Sequence, residues 1–263
     1  MGGKFTNKIL TGSVVALGWL LIWQLLSMLI GKELLVPSPA SVITTLWEQT
    51  GTVLFWRTVF LSFLRIIAGY VAGIAAGVLL AVLTSVSGFL DAFLDPVQHV
   101  IKATPIASFI ILALVWINGS NIPSFITFLM VMPIIWGNVS KGIAETDKRL
   151  LEMARVYRFG KLKTMKTVYF HSVLPYFAAA ATTSMGLAWK AGIAAEVLAL
   201  PNVAIGTRIN DSKIYLEMPE LFAWSVVVVI ISMLLEKMIT SLLRKIGQNT
   251  TAVAERKQEG DES

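Results

Sequence analysis

The 263-residue chain contains no cysteine, which excludes disulfides, thiolate metal sites and cysteine nucleophiles. Its two histidines, His99 and His171, lie too far apart to make a helical metal-ligand pair, so no metal or other cofactor is expected. Charge is scarce as well. Asp, Glu, Lys and Arg make up 14% of the chain, against about 25% in an ordinary soluble domain. That is too little to cover the surface of a water-soluble globule. There is no G-x-x-x-x-G-K-[ST] run to cradle a nucleotide phosphate, and no H-E-x-x-H or G-x-S-x-G. The chain therefore offers no catalytic residue, and if it pumps a solute it draws its energy from elsewhere.

Apolar sequence is plentiful: 56% of the residues are hydrophobic and the mean hydropathy is +0.72. A bilayer core of about 30 Å takes roughly 20 apolar residues in a helix. Runs of that kind cover Ile9 to Ile30, about Thr58 to Val86, Val97 to Ile117, Ile122 to Val139, Val173 to Leu200 and Leu221 to Leu243. They predict an all-α polytopic membrane protein with six transmembrane helices. Between the first two, Val36-Pro37-Ser38-Pro39 is a breaker, followed by a short amphipathic piece, Ala40 to Thr50. Pro105, Pro133 and Pro175 are expected to kink helices or mark their ends.

The basic residues set the orientation. Lys141, Lys148, Arg149, Arg155, Arg158, Lys161, Lys163 and Lys166 crowd between the fourth and fifth spans, and short basic loops stay in the cytoplasm. Six spans then put both termini on that side, in agreement with Lys4, Lys8, Lys237, Arg244 and Lys245. Topology thus accounts for most of the net charge of +6, and nucleic acid is not expected as a partner. Residues 1–246 read as one membrane domain, and 247–263 as a flexible polar cytoplasmic tail.

The cytoplasmic stretch of about 145–171 is too patterned for a simple connector. Leu150, Leu151, Ala154 and Val156 recur at roughly helical spacing, Gly160 offers a stop, and Leu162, Met165, Val168 and Tyr169 resume the pattern. Two short amphipathic helices outside the membrane are expected. By itself such a basic amphipathic segment suits anionic lipid headgroups more often than a protein.

Glu152-Met153-Ala154, then Arg155, the basic run and Leu174-Pro175, resembles the E-A-A loop of ABC importer permeases. Val36-Pro37-Ser38-Pro39, Leu94-Asp95-Pro96, Lys102-Ala103-Thr104-Pro105, Gly186-Leu187-Ala188-Trp189 and Ala195-Glu196-Val197 resemble, in order, segments of that family's nitrate, sulfonate and taurine branch. The likeness runs from about Leu35 to Ile246. Three positions depart from the family pattern. Met153 stands at the middle alanine, Arg158 at the turn glycine with Gly160 two residues on, and Phe170-His171 at the first Leu-Pro.

The resemblance implies a type I importer permease fold with a cytoplasmic coupling helix, in a multi-pass protein of the bacterial plasma (inner) membrane. It implies two ABC ATPase subunits as partners, a second permease copy in a homodimer, and an extracytoplasmic substrate-binding protein. The solute would be a small anion, a sulfonate or taurine-like compound, or a vitamin or pyrimidine precursor. Leu151, Glu152, Ala154, Arg155, Tyr157, Arg158 and Gly160 would form the ATPase-docking surface. Glu152 would pair with a basic partner residue, and Leu151, Ala154 and Tyr157 would supply apolar contact.

Three further features come from the residues themselves. Gly69, Gly73 and Gly77, with Ala72 and Ala76, form a small-residue groove for close helix packing. Arg65 is expected to snorkel to the outer interface or cap a neighbouring helix. Trp189, Lys190 and Glu196 are the candidates for the translocation path, Lys190 and Glu196 because ionisable groups inside a membrane are expensive and often functional. Lys190 and Glu196 would either face an anionic solute or serve as buried anchors, with Gly192 permitting a bend between them. A self-sufficient secondary carrier or intramembrane enzyme using Lys190 and Glu196 is the alternative function.

Overall fold

Local chemistry explains most of the helix boundaries in the computed structural model, which describes residues 2–261 and the side chains of residue 11 and residues 14–243. The side chains of Lys4, Lys8, Arg244 and Lys245, used above for orientation, lie outside the described ones. Helix α1 (Gly2–Ile30) ends at Gly31, whose φ of 61° reverses the chain. Ser27 Oγ and Trp23 Nε1 on α1 donate to the carbonyls of Val36 and Pro37, tying down the breaker segment. Ser38 then caps α2 (Pro39–Thr50), accepting from the Ser41 N–H, with a proline at the first helical position.

Thr52 caps α3 (Val53–Val86) in the same way, so this helix starts five residues before the expected span. Ser87 links it to α4 (Gly88–Ala103), and a second helix, α5 (Ile106–Ala113), follows at an angle of 102°. The single span expected over Val97 to Ile117 is therefore broken in two. The cause is local: Thr104 precedes Pro105 and is held extended (φ −78°, ψ 130°), as the proline ring requires.

Helix α6 (Ile122–Ala144) packs along α3. A β-carbon on Gly69 would strike the Ser124 carbonyl, one on Gly73 would meet Val131 Cβ at 2.8 Å, and one on Gly77 would meet Ile135 Cβ at 2.8 Å. The three glycines let the two backbones touch, and Ser124 Oγ donates to the Arg65 carbonyl across the seam.

Helix α7 (Lys148–Val156) is capped by Asp147, whose carboxylate accepts from the Arg149 N–H at 2.8 Å. Helix α8 (Lys161–Thr164), a π-helical turn (Met165–Tyr169) and α9 (Phe170–Ala199) form one unbroken helical run. The second of the two short helices expected in the basic loop is thus the start of α9.

Helix α9 also runs straight through Gly192, where no bend occurs. There the missing β-carbon makes room for Ile66 of α3 and Thr127 of α6. Pro133 and Pro175 lie inside α6 and α9, whereas Pro105 ends a helix.

Helix α10 (Ile205–Ile214) packs against α9 and α11 (Met218–Asp261), and α11 continues well past Leu243. At its start the hydrogen bond and negative charge of Glu220 hold the Glu217 carboxyl above the usual carboxylate range.

The core lies between α3, α6, α9 and α11. Among the described residues, Val53–Val86, Ile122–Ala144 and Met218–Leu243 are long and apolar enough to cross a membrane, and the bent α4–α5 pair makes a fourth. Helix α9 has 30 residues but is less apolar. It packs against α3, α6, α10 and α11 and leaves one exposed stripe that includes Ala179, Thr183, Leu187, Lys190, Ala194 and Leu198.

Candidate functional site

The loop from α6 to α9 carries the first candidate surface. Arg158 turns it: with φ of 51° it is left-handed, its N–H donates to the Arg155 carbonyl, and the Phe159 N–H reaches back to Ala154. This paired closure ends α7 at the position where the E-A-A resemblance has glycine. Gly160, expected to provide the stop, instead has φ −64° and ψ 158° and precedes α8.

Glu152, Arg155, Tyr157, Arg158 and Gly160 are exposed, and Leu151 is half-buried. Ala154 is only 2% exposed. The closure folds the chain back over it, so it packs inward rather than offering a contact to a partner. The exposed apolar residues are Leu150, Met153, Val156 and Tyr157. Their three- and four-residue spacing marks one stripe of α7, and this signal was available in the sequence. Lys163 Nζ sits 4.0 Å over the Phe159 ring and stiffens the turn.

The second candidate set lies on α9, where Trp189, Lys190 and Glu196 point three ways. Trp189 has no exposed surface, and its indole N–H donates to the Val228 carbonyl of α11 at 3.0 Å. It therefore packs in the core and borders no path. Lys190 is exposed on a cavity of about 360 Å³ whose wall includes Ile106, Ile110, Met130, Ile134, Leu187 and Leu198. Glu196 is fully buried on the other side, about 120° round the helix from Lys190.

Glu196 forms a clasp. Its Oε2 accepts from Ser62 Oγ at 2.9 Å and from the Gly206 N–H at 3.0 Å, and Ser62 Oγ in turn accepts from the Ile205 N–H. Helix α10 has no capping side chain of its own. A carboxylate from α9 and a hydroxyl from α3 occupy that place, at the helix end that favours negative charge.

Arg65 Nη1 lies 3.7 Å from Glu196 Oε1, and the guanidinium donates to the carbonyls of Asn202 and Val203. Arg65 thus secures the turn that follows α9. A β-carbon on Gly206 would collide with Glu196 and Val197, so only glycine fits there. Sequence reading singled out Glu196 and Arg65 but not their junction with Ser62 and Gly206, because the partners are 134 and 10 residues from Glu196 and carry no local signature.

Residues 73–249, from the middle of α3 into α11, match the family described as "Binding-protein-dependent transport system inner membrane component". The chain belongs to this family. Its relatives place the permease in the nitrate, sulfonate and bicarbonate branch of ABC importer permeases.

It is 28% identical over 191 residues to the nitrate import permease protein NrtB of Synechococcus elongatus, covering 68% of each chain. It is 27% identical over 250 residues to the bicarbonate transport system permease protein CmpB of the same species, covering 89% of this chain and 87% of the relative. It is 28% identical over 203 residues to the putative aliphatic sulfonates transport permease protein SsuC of Escherichia coli, covering 76% of each.

Among solved structures, an inward-facing form of the MetNI methionine ABC transporter shares the fold. It has a TM-score of 0.53 at 17% identity, and the match covers 73% of this permease and 93% of that chain. The permease is thus a multi-pass subunit of an inner-membrane transport system, and members of its family are not themselves enzymes.

Proposed function

We propose that this permease carries a small anion, such as nitrate, bicarbonate or an organic sulfonate, into the cell, driven by ATP hydrolysis in two separate subunits docked on α7. The relatives' printed names supply the anion class, and Lys190, facing an otherwise apolar cavity, supplies a cation suited to it. The observation that carries the reading is α7 itself. It is a capped nine-residue helix between α6 and α9, with exposed Leu150, Met153, Val156 and Tyr157 set beside Glu152, Arg155 and Arg158.

A push on α7 acts directly on both helices that flank it. The glycine seam joins α6 to α3, and the Glu196 clasp joins α9 to α3 and α10, so displacement at one end of the bundle is passed to the other as a body. Alternating access follows if two copies rock against each other. Six spans, with both termini on the α7 side, would be α1, α3, the α4–α5 pair, α6, α9 and α11. An external binding protein would deliver the solute on the α10 side.

In a self-sufficient carrier Lys190 and Glu196 would act together, but Glu196 is committed to Ser62 and Gly206 on another face. Glu152→Lys reverses the charge on the exposed face of α7 without touching the core. It is expected to abolish co-purification of the ATPase subunit while leaving the amount of permease in the membrane unchanged. Undiminished co-purification with normal uptake would overturn docking on α7.

A further inference from the structure

Helix α4 has no buried residue. Asp91, Asp95, His99 and Lys102 recur on it at intervals of four, four and three, so they form one stripe. All four are exposed, and His99 Nε2 lies 3.5 Å from Asp95 Oδ2. A charged stripe on a helix of a membrane bundle cannot face hydrocarbon without heavy cost. It lines water.

Lys102 ends this stripe about 21 Å along the axis from the first residue of α4. It makes no ion pair or hydrogen bond with any described residue. A β-carbon placed on Gly137 of α6 would be 3.6 Å from Lys102 Nζ, and the neighbouring Gln98 Nε2 donates to the Pro133 carbonyl at 3.2 Å, which fixes α4 against α6 at this level. Lys190 lines a cavity with Met130 and Ile134 of α6.

Met130, Ile134 and Gly137 stand at i, i+4 and i+7, on one face of α6, and the last two are separated by about 4.5 Å along the axis. The break at Thr104-Pro105 lets Ile106, Ala107 and Ile110 of α5 line the Lys190 cavity, while Lys102, four residues before Ile106, lies outside that lining and beside Gly137. Two ammonium groups from helices far apart in the chain, both without a partner among the described residues, therefore lie against successive turns of one face of α6.

We propose that Lys102 and Lys190 together form the anion-selecting site of the permease, on the Met130 to Gly137 face of α6, for a compact anion with an oxyanion head. Lys190 meets the anion in the apolar cavity, and Lys102 takes it over beside the charged stripe. Beyond Lys102 the stripe changes sign at Asp95 and Asp91, which favours release of an anion rather than retention. This deepens the reading above and rests on the solute being an anion.

The test uses the complete transporter, with its ATPase subunits and binding protein, in proteoliposomes containing ATP, with nitrate, bicarbonate and ethanesulfonate as probes. At roughly 10 Å in a wet protein cavity, one unit charge changes the occupancy of an anion by about tenfold. Lys102→Met and Lys190→Met are each expected to lower uptake of the transported probe by about that factor, and the double variant by more. Stimulation of ATP hydrolysis by the binding protein should be retained, and Lys102→Arg and Lys190→Arg should keep most of the uptake.

If the unaltered transporter takes up none of the three anions, the anion reading itself falls and the site with it. If it takes one up and the methionine variants do so equally well, the two-lysine site alone is overturned.

Because the chain has no cysteine, Lys102→Cys and Lys190→Cys give a readout that does not depend on flux. The anionic reagent methanethiosulfonate ethylsulfonate should modify both in the assembled transporter, more slowly when the transported anion is present. Failure to modify either position, with the complex intact, would show that the position does not line a water-filled path and would overturn the proposal.

Discussion

Removing the Glu196 carboxylate would leave the Gly206 N–H and the Ser62 hydroxyl without their acceptor and the Arg65 guanidinium without its counter-charge, at a junction where Ser62 and Gly206 are buried. Loss of one member of a buried charged network costs about 3 kcal/mol. Glu196→Ala is therefore expected to lower the thermal midpoint of the detergent-solubilised permease by several degrees, whereas Lys190→Met, which breaks no such contact, should leave it near that of the unaltered protein. Equal midpoints for the two variants would remove the clasp. The sequence marks both residues for the same reason, an ionisable group in an apolar run. It does not separate them, since the difference lies in what surrounds each: an open cavity for Lys190, and Ser62, Arg65 and Gly206 for Glu196. Trp189 is adjacent to Lys190 in sequence but points about 100° from it on the helix and packs in the core.

Helices were legible where local chemistry decides. Ser38-Pro39 begins α2 next to a legible breaker, whereas the Thr52 cap that starts α3 before the expected span was not legible, and Thr104-Pro105 ends α4 inside what the sequence presents as one span. The consequence of the last break, a 102° turn, depends on how α5 packs against α6 and α9 and could not be read from the proline alone. The glycines of α3 were legible as a groove, while their partner α6 was not. At the end of α7 the strongest turn former nearby, Gly160, is not the residue that turns. Closure onto Ala154 requires the left-handed residue at position 158, where arginine stands. A β-branched residue tolerates that conformation poorly, at about 1–2 kcal/mol. Arg158→Val is accordingly expected to loosen the loop and speed its cleavage by trypsin at Lys161 and Lys163, whereas Arg158→Gly should be no more susceptible than the unaltered chain. Cleavage at the same rate in all three would show that α7 does not depend on this turn.

Across the whole molecule, two junctions at opposite ends of α9 share that helix: α7 joins α6 to α9, and the Glu196 clasp joins α9 to α3 and α10. The small charged fraction first excluded a soluble fold. Its distribution then suggested which end of the bundle is cytoplasmic, and the structure adds that Glu196 and Arg65 meet in a clasp while Lys190 and Lys102 are exposed. The central claim is that this permease moves an anion only when an ATPase acts on α7. Reconstitution with purified ATPase subunits and binding protein tests it most directly, by following nitrate, bicarbonate and ethanesulfonate uptake with and without ATP. Uptake of at least one of them is expected, requiring ATP and the binding protein together and vanishing with Glu152→Lys. Uptake of the same anion by the permease alone, driven by an imposed ion gradient without ATP, would contradict it.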